Sequence, residues 1–177
     1  MKDTHEEHVV LVDEHNAVLG TTPKSSVHGT DTPLHRGFSA FLFNEQGQVL
    51  LQQRSRLKKT WPLMWSNSVC GHPALGESNE DAARRRASFE LGLDLVSIKE
   101  VSPYRYKATK DGVMENEICP ILVGRVKTEP VPNPSEVEAV KWLAWEDFLR
   151  SIKIHPDTYS IWCREEAEIL KDLLKHR

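Results

Sequence analysis

The run GHPALGESNEDAARRRASFELGL, residues 71–93, changes character at Ser78. Before it, Gly71, Pro73 and Gly76 punctuate a loop; after it, Ala82, Ala83, Ala87 and Leu91 recur at helical spacing. Ser78 and Asp81 can form a cap, in which side-chain oxygens accept from backbone N–H groups that lack partners in a first helical turn. Gly92 offers the stop, because glycine tolerates the left-handed backbone that ends a helix. The stretch therefore predicts loop, helix, loop. Strand signals lie on either side. HVVLVD and AVLGTT flank a polar turn at residues 14–16, and GFSAFLF and QVLLQQR are joined by NEQG in the manner of a hairpin. Further strands are predicted at 101–108, 114–126 and 137–143. Helices are predicted at 145–152 and 157–176, after Pro130, Pro132 and Pro134 restrict the connection. This mixture predicts an α/β (α+β) sandwich, a mixed sheet covered on both sides by helices, with residues 1–177 forming one domain.

Composition agrees. In 177 residues, 39% are hydrophobic and 28% charged, too apolar for a disordered chain and without the bias of collagen or a coiled coil. With 23 Lys+Arg against 26 Asp+Glu the net charge is −3, which argues against a broad nucleic-acid surface but allows a small basic pocket. The longest apolar run, FSAFLF, is far short of the roughly 20 residues that span a bilayer, and MKDTHEEHVV has no signal-peptide core. The expectation is a cytoplasmic protein with no membrane insertion. Cys70, Cys119 and Cys163 are scattered without a CxxC pair, so no disulfide framework is expected.

Eight histidines are more than such a chain needs. His28 and His35 stand in the turn-rich segment SSVHGTDTPLHRG, and His72 stands in the loop after Cys70. Downstream, Glu115-Asn116-Glu117 opens an apolar run; in a strand the two carboxylates face the same way and need a cation or a shared proton. Three imidazoles and two carboxylates make an N/O set suited to a divalent transition metal. Each histidine alone could equally be a solvated side chain. His5, His8, His15, His155 and His176 have no partner pattern and are read as surface residues.

Residues 71–93 also resemble the Nudix box: Gly, five residues, Glu, seven residues, then Arg-Glu-apolar-x-Glu-Glu-x-Gly-apolar. Gly71, Glu77, Arg85, Glu90 and Gly92 match, but Arg86 and Phe89 stand where the pattern has glutamates. Nudix hydrolases use those glutamates to hold magnesium and activate water against a diphosphate. With Glu90 alone remaining, one magnesium can grip a diphosphate, with too little charge left to drive hydrolysis. The flanks sharpen the resemblance. WPLMWSNSVCGHPALGESNEDAARRR, the upstream His28 and His35, YRYKAT and ENEICP together resemble the type I isopentenyl diphosphate isomerases over essentially the whole chain.

That resemblance implies a Nudix-like α/β fold with an N-terminal extension. It implies an isomerase that interconverts isopentenyl and dimethylallyl diphosphate in isoprenoid biosynthesis by protonation and deprotonation through a tertiary carbocation. It makes His28, His35, His72, Glu115 and Glu117 ligands of one Mn2+ or Zn2+. Glu90 and the main-chain carbonyl of Cys70 become the anchor of a Mg2+ on the substrate diphosphate. Lys24, Arg54, Lys58 and Arg86 become phosphate contacts, Trp162 the aromatic over the substrate, and Cys70, Glu117 and Tyr106 the proton-handling groups. For the forward direction the Glu117–Tyr106 side is expected to deliver a proton and Cys70 to remove one, a direction the sequence leaves open. Trp61 and Trp65 are read as core, and Cys119 and Cys163 as buried thiols. The partner expected is a small isoprenyl diphosphate, with no nucleic acid, and the chain is expected to be a monomer or weak homodimer. The rivals are a Nudix diphosphohydrolase, disfavoured by Arg86 and Phe89, and a non-catalytic diphosphate- or metal-binding module.

Overall fold

Two stretches expected as single strands are each broken by a proline, and the breaks shape the molecule. In the computed structural model, which describes residues 6–175, Pro103 interrupts one run and Pro120 the other. Proline has no N–H to give to a ladder, so pairing stops there and resumes with a different partner. His5 and His176 lie outside the described residues.

The strands are β1 (His8–Val12), β2 (Val18–Pro23), β3 (His35–Arg36), β4 (Phe38–Phe43), β5 (Gln48–Arg54), β6 (Trp65–Ser66), β7 (Val69–Gly71), β8 (Ser97–Ser102), β9 (Arg105–Lys110), β10 (Val113–Ile118), β11 (Ile121–Arg125) and β12 (Val137–Ala144). The helices are α1 (Lys24–Val27), α2 (Asn79–Leu91), α3 (Trp145–Ile154) and α4 (Ile161–Leu174). The α+β class expected from the sequence is present, with the strands divided between two sheets. One runs β2-β1-β3-β10-β9; the other runs β12-β5-β4-β11-β8, with β6 added beside β5 and β7 beside β4.

Two chain segments pass side by side from one sheet to the other. β3 and β10 run parallel with Glu117 beside His35, and β4 and β11 run parallel with Ile121 beside Ser39, so the register carries across the break unchanged. Gly37 N donates to Ile118 O (2.9 Å) and Ser39 N to Pro120 O (3.1 Å), which keeps the two segments tied at the seam. Residues next to this seam, His35, Ser39 and Glu117, are therefore brought close to both sheets.

Alternation along β4 sends Phe38, Ala40 and Leu42 to one face, where Ala82, Ala83, Ala87 and Leu91 of α2 cover them. Phe41 and Phe43 point to the other face, beneath Phe148 of α3 and Trp162, Cys163 and Ala167 of α4. The helix read from residues 71–93 has the expected ends. Ser78 Oγ accepts from Asp81 N (3.1 Å), and Gly92 takes φ +61° while its N–H donates to Ser88 O (3.0 Å). The last helix begins at Ile161, four residues later than expected, because Pro156–Thr158 forms a separate 3-10 turn and Ser160 N is held by Trp65 O (2.9 Å).

At Gly124 of β11 a Cβ would come 2.7 Å from Ser97 O and 2.9 Å from both Ile98 Cδ1 and Leu42 Cδ2. Because one obstacle is backbone, Gly124→Ala is expected to cost about 1–3 kcal/mol, seen as a lower urea midpoint at unchanged m-value.

Candidate active site

Every candidate residue but His35 lines one cavity of about 430 Å³, and His35 is buried against Glu117, which does. The single turn of α1 places Lys24 and His28 four residues apart, hence on one side. In β7 and its continuation, Cys70 and His72 are two apart and share a face; in β10, Glu115 and Glu117 do the same. Tyr106 is the cross-strand partner of Glu117, so their side chains meet. Arg86 and Glu90 lie four apart on the buried stripe of α2, between alanines that bring the helix close to the sheet. Trp162 enters from the first turn of α4.

Glu117 is the meeting point. Its Oε1 is 2.9 Å from His72 Nε2 and 3.3 Å from His35 Nε2, and Tyr106 Oη donates to its Oε2 (3.2 Å). One ligand atom from each of His28, His35, His72 and Glu117 falls within 4.8 Å of all the others. Glu115 stands one step outside this group: its Oε2 is 2.9 Å from His28 Nε2, as expected of a side chain two residues earlier on the strand. The donor set fits a metal ion. His35 Nδ1 donates to Pro33 O (2.8 Å), which leaves Nε2 as the lone-pair nitrogen, and the buried Nε2 atoms of His28 and His35 have no hydrogen-bond partner among the described residues. Three imidazoles and a carboxylate aimed at one point can hold a divalent cation.

The charges follow from this packing. Burial opposes ionisation of Glu117, but the adjacent His35 and His72 imidazoles outweigh it and hold the carboxyl well below the usual carboxylate range. Burial lowers His35 as well, yet Glu117 turns the balance and raises it; at His72 burial, with Lys24 and His35 adding to it, wins and the pKa falls. Burial pushes the Cys70 thiol up to about 12, with the Glu166 carboxyl adding to the rise, while Ser39, Arg54 and Asn67 pull the other way. Burial and then Glu117 raise Tyr106.

Four cations line the opposite part of the cavity. Lys24 Nζ pairs with Glu7 (2.8 Å), Lys58 Nζ with Glu136 (2.5 Å), and Arg86 Nη2 with Glu90 (2.5 Å) and Glu136 (3.2 Å). Arg54 is fixed by donating to Thr60 O from Nη2 (2.7 Å), with its guanidinium 5.6 Å from the Trp162 ring centre. Glu90 is held between Arg86 and Gln52 Nε2 (3.1 Å). Phe89 is half exposed, and the Arg86 guanidinium stacks over its ring at 5.0 Å. Trp162 meets Trp61 edge-on (5.2 Å between centroids) and Tyr106 (5.5 Å), forming an aromatic wall. Trp61 is buried, as expected of core, and also supports that wall; Trp65 is half-buried beneath Lys141. Cys119 and Cys163 are buried, while His8, His15 and His155 are exposed, as expected.

Sequence reasoning missed Glu7 and Glu136, whose roles as counter-charges depend on contacts far along the chain and leave no local signal. It also missed Ser39, Asn67 and Glu166 around Cys70. For Glu166 a signal existed: it occupies the apolar stripe Trp162, Cys163, Ala167 and Leu170 of its helix.

The NUDIX domain model matches residues 33–163. The chain is 44% identical over 164 residues to an isopentenyl-diphosphate Delta-isomerase of Klebsiella pneumoniae (strain 342), covering 92% of this chain and 89% of that protein. It is 43% identical over 170 residues to the isopentenyl-diphosphate Delta-isomerase of Agromyces mediolanus, covering 95% and 82%. Among solved structures, DR0079 of Deinococcus radiodurans superposes with a TM-score of 0.72 at 25% identity, over 92% of this chain and 98% of that one. The MutT protein of Methanosarcina mazei superposes at 0.67 and 21%, over 81% and 96%.

Gly37 leaves room for the central carboxylate, since a Cβ there would lie 2.5 Å from Glu117 Oε2. Gly37→Ala is expected to displace Glu117 and to weaken divalent-metal affinity about 10–100-fold, measured by competition with a chromogenic chelator, while circular dichroism stays that of the wild type.

Proposed function

The chain belongs to the NUDIX domain family and, within it, to the isopentenyl-diphosphate Delta-isomerases, and from that premise we propose a role for each residue of the cavity. The enzyme interconverts isopentenyl and dimethylallyl diphosphate in isoprenoid biosynthesis. The observation that carries the assignment of residues is the convergence, in one cavity, of the Glu117 carboxylate, the Cys70 thiol and four cations.

Lys24, Arg54, Lys58 and Arg86 bind the diphosphate. Arg86 stands where a Nudix hydrolase has a carboxylate, so a group that would help activate water instead grips phosphate. Glu90, with the main-chain carbonyl of Cys70, would hold a Mg2+ on the diphosphate, and His28, His35, His72 and Glu117, with Glu115 beside them, would hold a Mn2+ or Zn2+. Such cations supply charge neutralisation at the diphosphate and fix the ionisation of the ligating carboxylate.

Moving the double bond adds a proton at one carbon and removes one from another, with positive charge at the tertiary carbon between them. Cys70 and Glu117 are the two proton-handling groups, and Tyr106 orients the Glu117 carboxyl through its hydroxyl. The reaction runs in both directions, so the acid of one sense is the base of the other. The forward sense in which Glu117 and Tyr106 deliver the proton needs sulfur ionised, and Arg54 is the cation that favours this. The Trp162 face is suited to stabilising the tertiary cation by about 0.5–2 kcal/mol, and the surrounding aromatic wall excludes water.

Residues 1–177 are read as one isomerase domain, acting in the cytoplasm as a monomer or weak homodimer on a small isoprenyl diphosphate. Among the described residues, no helix is long and apolar enough to cross a membrane.

Incubation with isopentenyl diphosphate and Mg2+ in deuterated water is expected to yield deuterated dimethylallyl diphosphate without free phosphate; phosphate without isomer would sink the residue assignments in favour of hydrolysis. Cys70→Ala and Glu117→Gln are each expected to lower kcat by about 10²–10⁴-fold in both directions, while calorimetry shows diphosphate binding largely kept. Protein purified without chelator or added metal is expected to carry close to one equivalent of Mn or Zn by elemental analysis, and His35→Ala to lose it.

A further inference from the structure

The loop of residues 55–64, which leaves β5 and returns beside it, takes a costly shape. Trp61 and Leu63 both stand in the left-handed region, at φ +44° and +61°, where bulky side chains are rarely found. Leu63 follows Pro62 as the third residue of a turn closed by Met64 N, which donates to Trp61 O (3.4 Å); glycine is the ordinary residue at that position. Arg54 grips the turn with its backbone: its N–H donates to Met64 O (2.9 Å), and Leu63 N donates to Arg54 O (3.0 Å). Strain of this kind persists where the surroundings enforce it, and it gathers at binding sites, where it fixes a geometry in advance.

The geometry fixed here is that of the Arg54 guanidinium. Nε donates to Thr60 O (3.0 Å) and Trp61 O (3.2 Å), and Nη2 donates to Thr60 O (2.7 Å) and Thr60 Oγ1 (2.7 Å). The φ of Trp61 is one of the two torsions that orient those carbonyls relative to each other, so its unusual value lets both face one edge of the side chain. A guanidinium holds five N–H donors in a rigid plane. The loop occupies the donors on Nε and Nη2, whereas Nη1 has no hydrogen-bond partner among the described residues. Of the three acceptors only the Thr60 hydroxyl belongs to a side chain, and Thr60 is itself buried in the wall of the same cavity. The loop also carries Lys58, whose N–H donates to Ser55 O (3.1 Å), and Lys59, whose Nζ donates to Ser25 O (2.9 Å) next to Lys24.

We propose that Thr60 is a positioning residue for diphosphate binding: with the carbonyls of Thr60 and Trp61, its hydroxyl locks one edge of the Arg54 guanidinium and leaves Nη1 to meet the diphosphate. A free arginine gives up rotamer freedom when it grips a ligand; one locked by the fold has already given it up. The effect belongs to affinity for the diphosphate, which substrate and transition state share, so it is read in KM and not in kcat. This rests on the reading of Arg54 as a phosphate contact.

The test uses the metal-loaded full chain as wild type, T60V, T60S, R54Q and the T60V/R54Q double variant, each checked for folding by circular dichroism. Calorimetry reads the Kd of inorganic pyrophosphate in Mg2+, and steady-state kinetics read KM and kcat for isopentenyl diphosphate. T60V, which keeps the branched shape and loses the acceptor, is expected to raise both Kd and KM about fivefold or more, with kcat within about twofold. T60S, which keeps the hydroxyl, is expected to bring both back to within about twofold of wild type. In the R54Q background T60V is expected to add no more than about a twofold change, because the group it acts through is gone. Wild-type affinity in T60V overturns the proposal, as does a loss that T60S fails to restore or that persists in full without Arg54. Should T60V fail to fold, T60A takes its place; should R54Q fail to fold, T60V against T60S decides. R54Q alone separates the two layers. Wild-type pyrophosphate affinity there brings down the reading of Arg54 and this proposal with it, whereas weak binding in R54Q beside wild-type binding in T60V overturns this proposal alone.

Discussion

A single buried carboxylate, Glu117, holds the two sheets, the imidazoles and the Tyr106 hydroxyl in one arrangement. It is placed by its strand register beside His35, receives the hydroxyl of Tyr106 from the neighbouring strand, and meets His72 from the loop that leads to α2. Gly37 makes the room it needs at the seam where the chain passes from one sheet to the other. A charged group in such a place must be matched from several directions, and each match constrains a different element. The geometry of the cavity follows from satisfying this one group.

The same economy governs the cationic half of the cavity. Lys24, Arg54, Lys58 and Arg86 would repel one another if left alone; burial and the neighbouring Arg54 already lower the pKa of Lys58. Glu7, Glu90 and Glu136 interleave with them and keep the cluster tolerable. Burial opposes ionisation of Glu7 and Glu136, but Lys24 and Lys58 with Arg86 outweigh it and lower both, while Arg86, surrounded by Glu90, Glu136 and Glu7, has its pKa raised. A chain with a net charge of −3 thus gathers these four cations in one cavity, interleaved with carboxylates.

Much of this was legible in advance because it is local. The helix at residues 79–91 announced itself by Ser78, by its alanine spacing and by Gly92, and its ends fall where those residues put them. Glu115 and Glu117 were readable as a pair because strand side chains two apart must face the same way. Other features were legible only through the resemblance: Arg54 and Lys58 in a basic run look like a solvated patch, and nothing in a lone Cys70 announces a reactive thiol. The breaks at Pro103 and Pro120 could have been read from proline's missing donor, yet the change of sheet they produce could not.

By itself, the sequence determined the elements, the periodicity of their buried faces, the excess of histidine and the substitution of Arg86 and Phe89 for glutamates. These are properties of neighbours along the chain, set by backbone geometry and side-chain chemistry. Only the tertiary structure decided which histidines meet, that Glu115 stands outside the four-atom group, and that Glu7 and Glu136 balance the cations. Each of those facts depends on pairing between segments tens of residues apart, where the cost of burying a charge is settled by whichever group the fold brings opposite it.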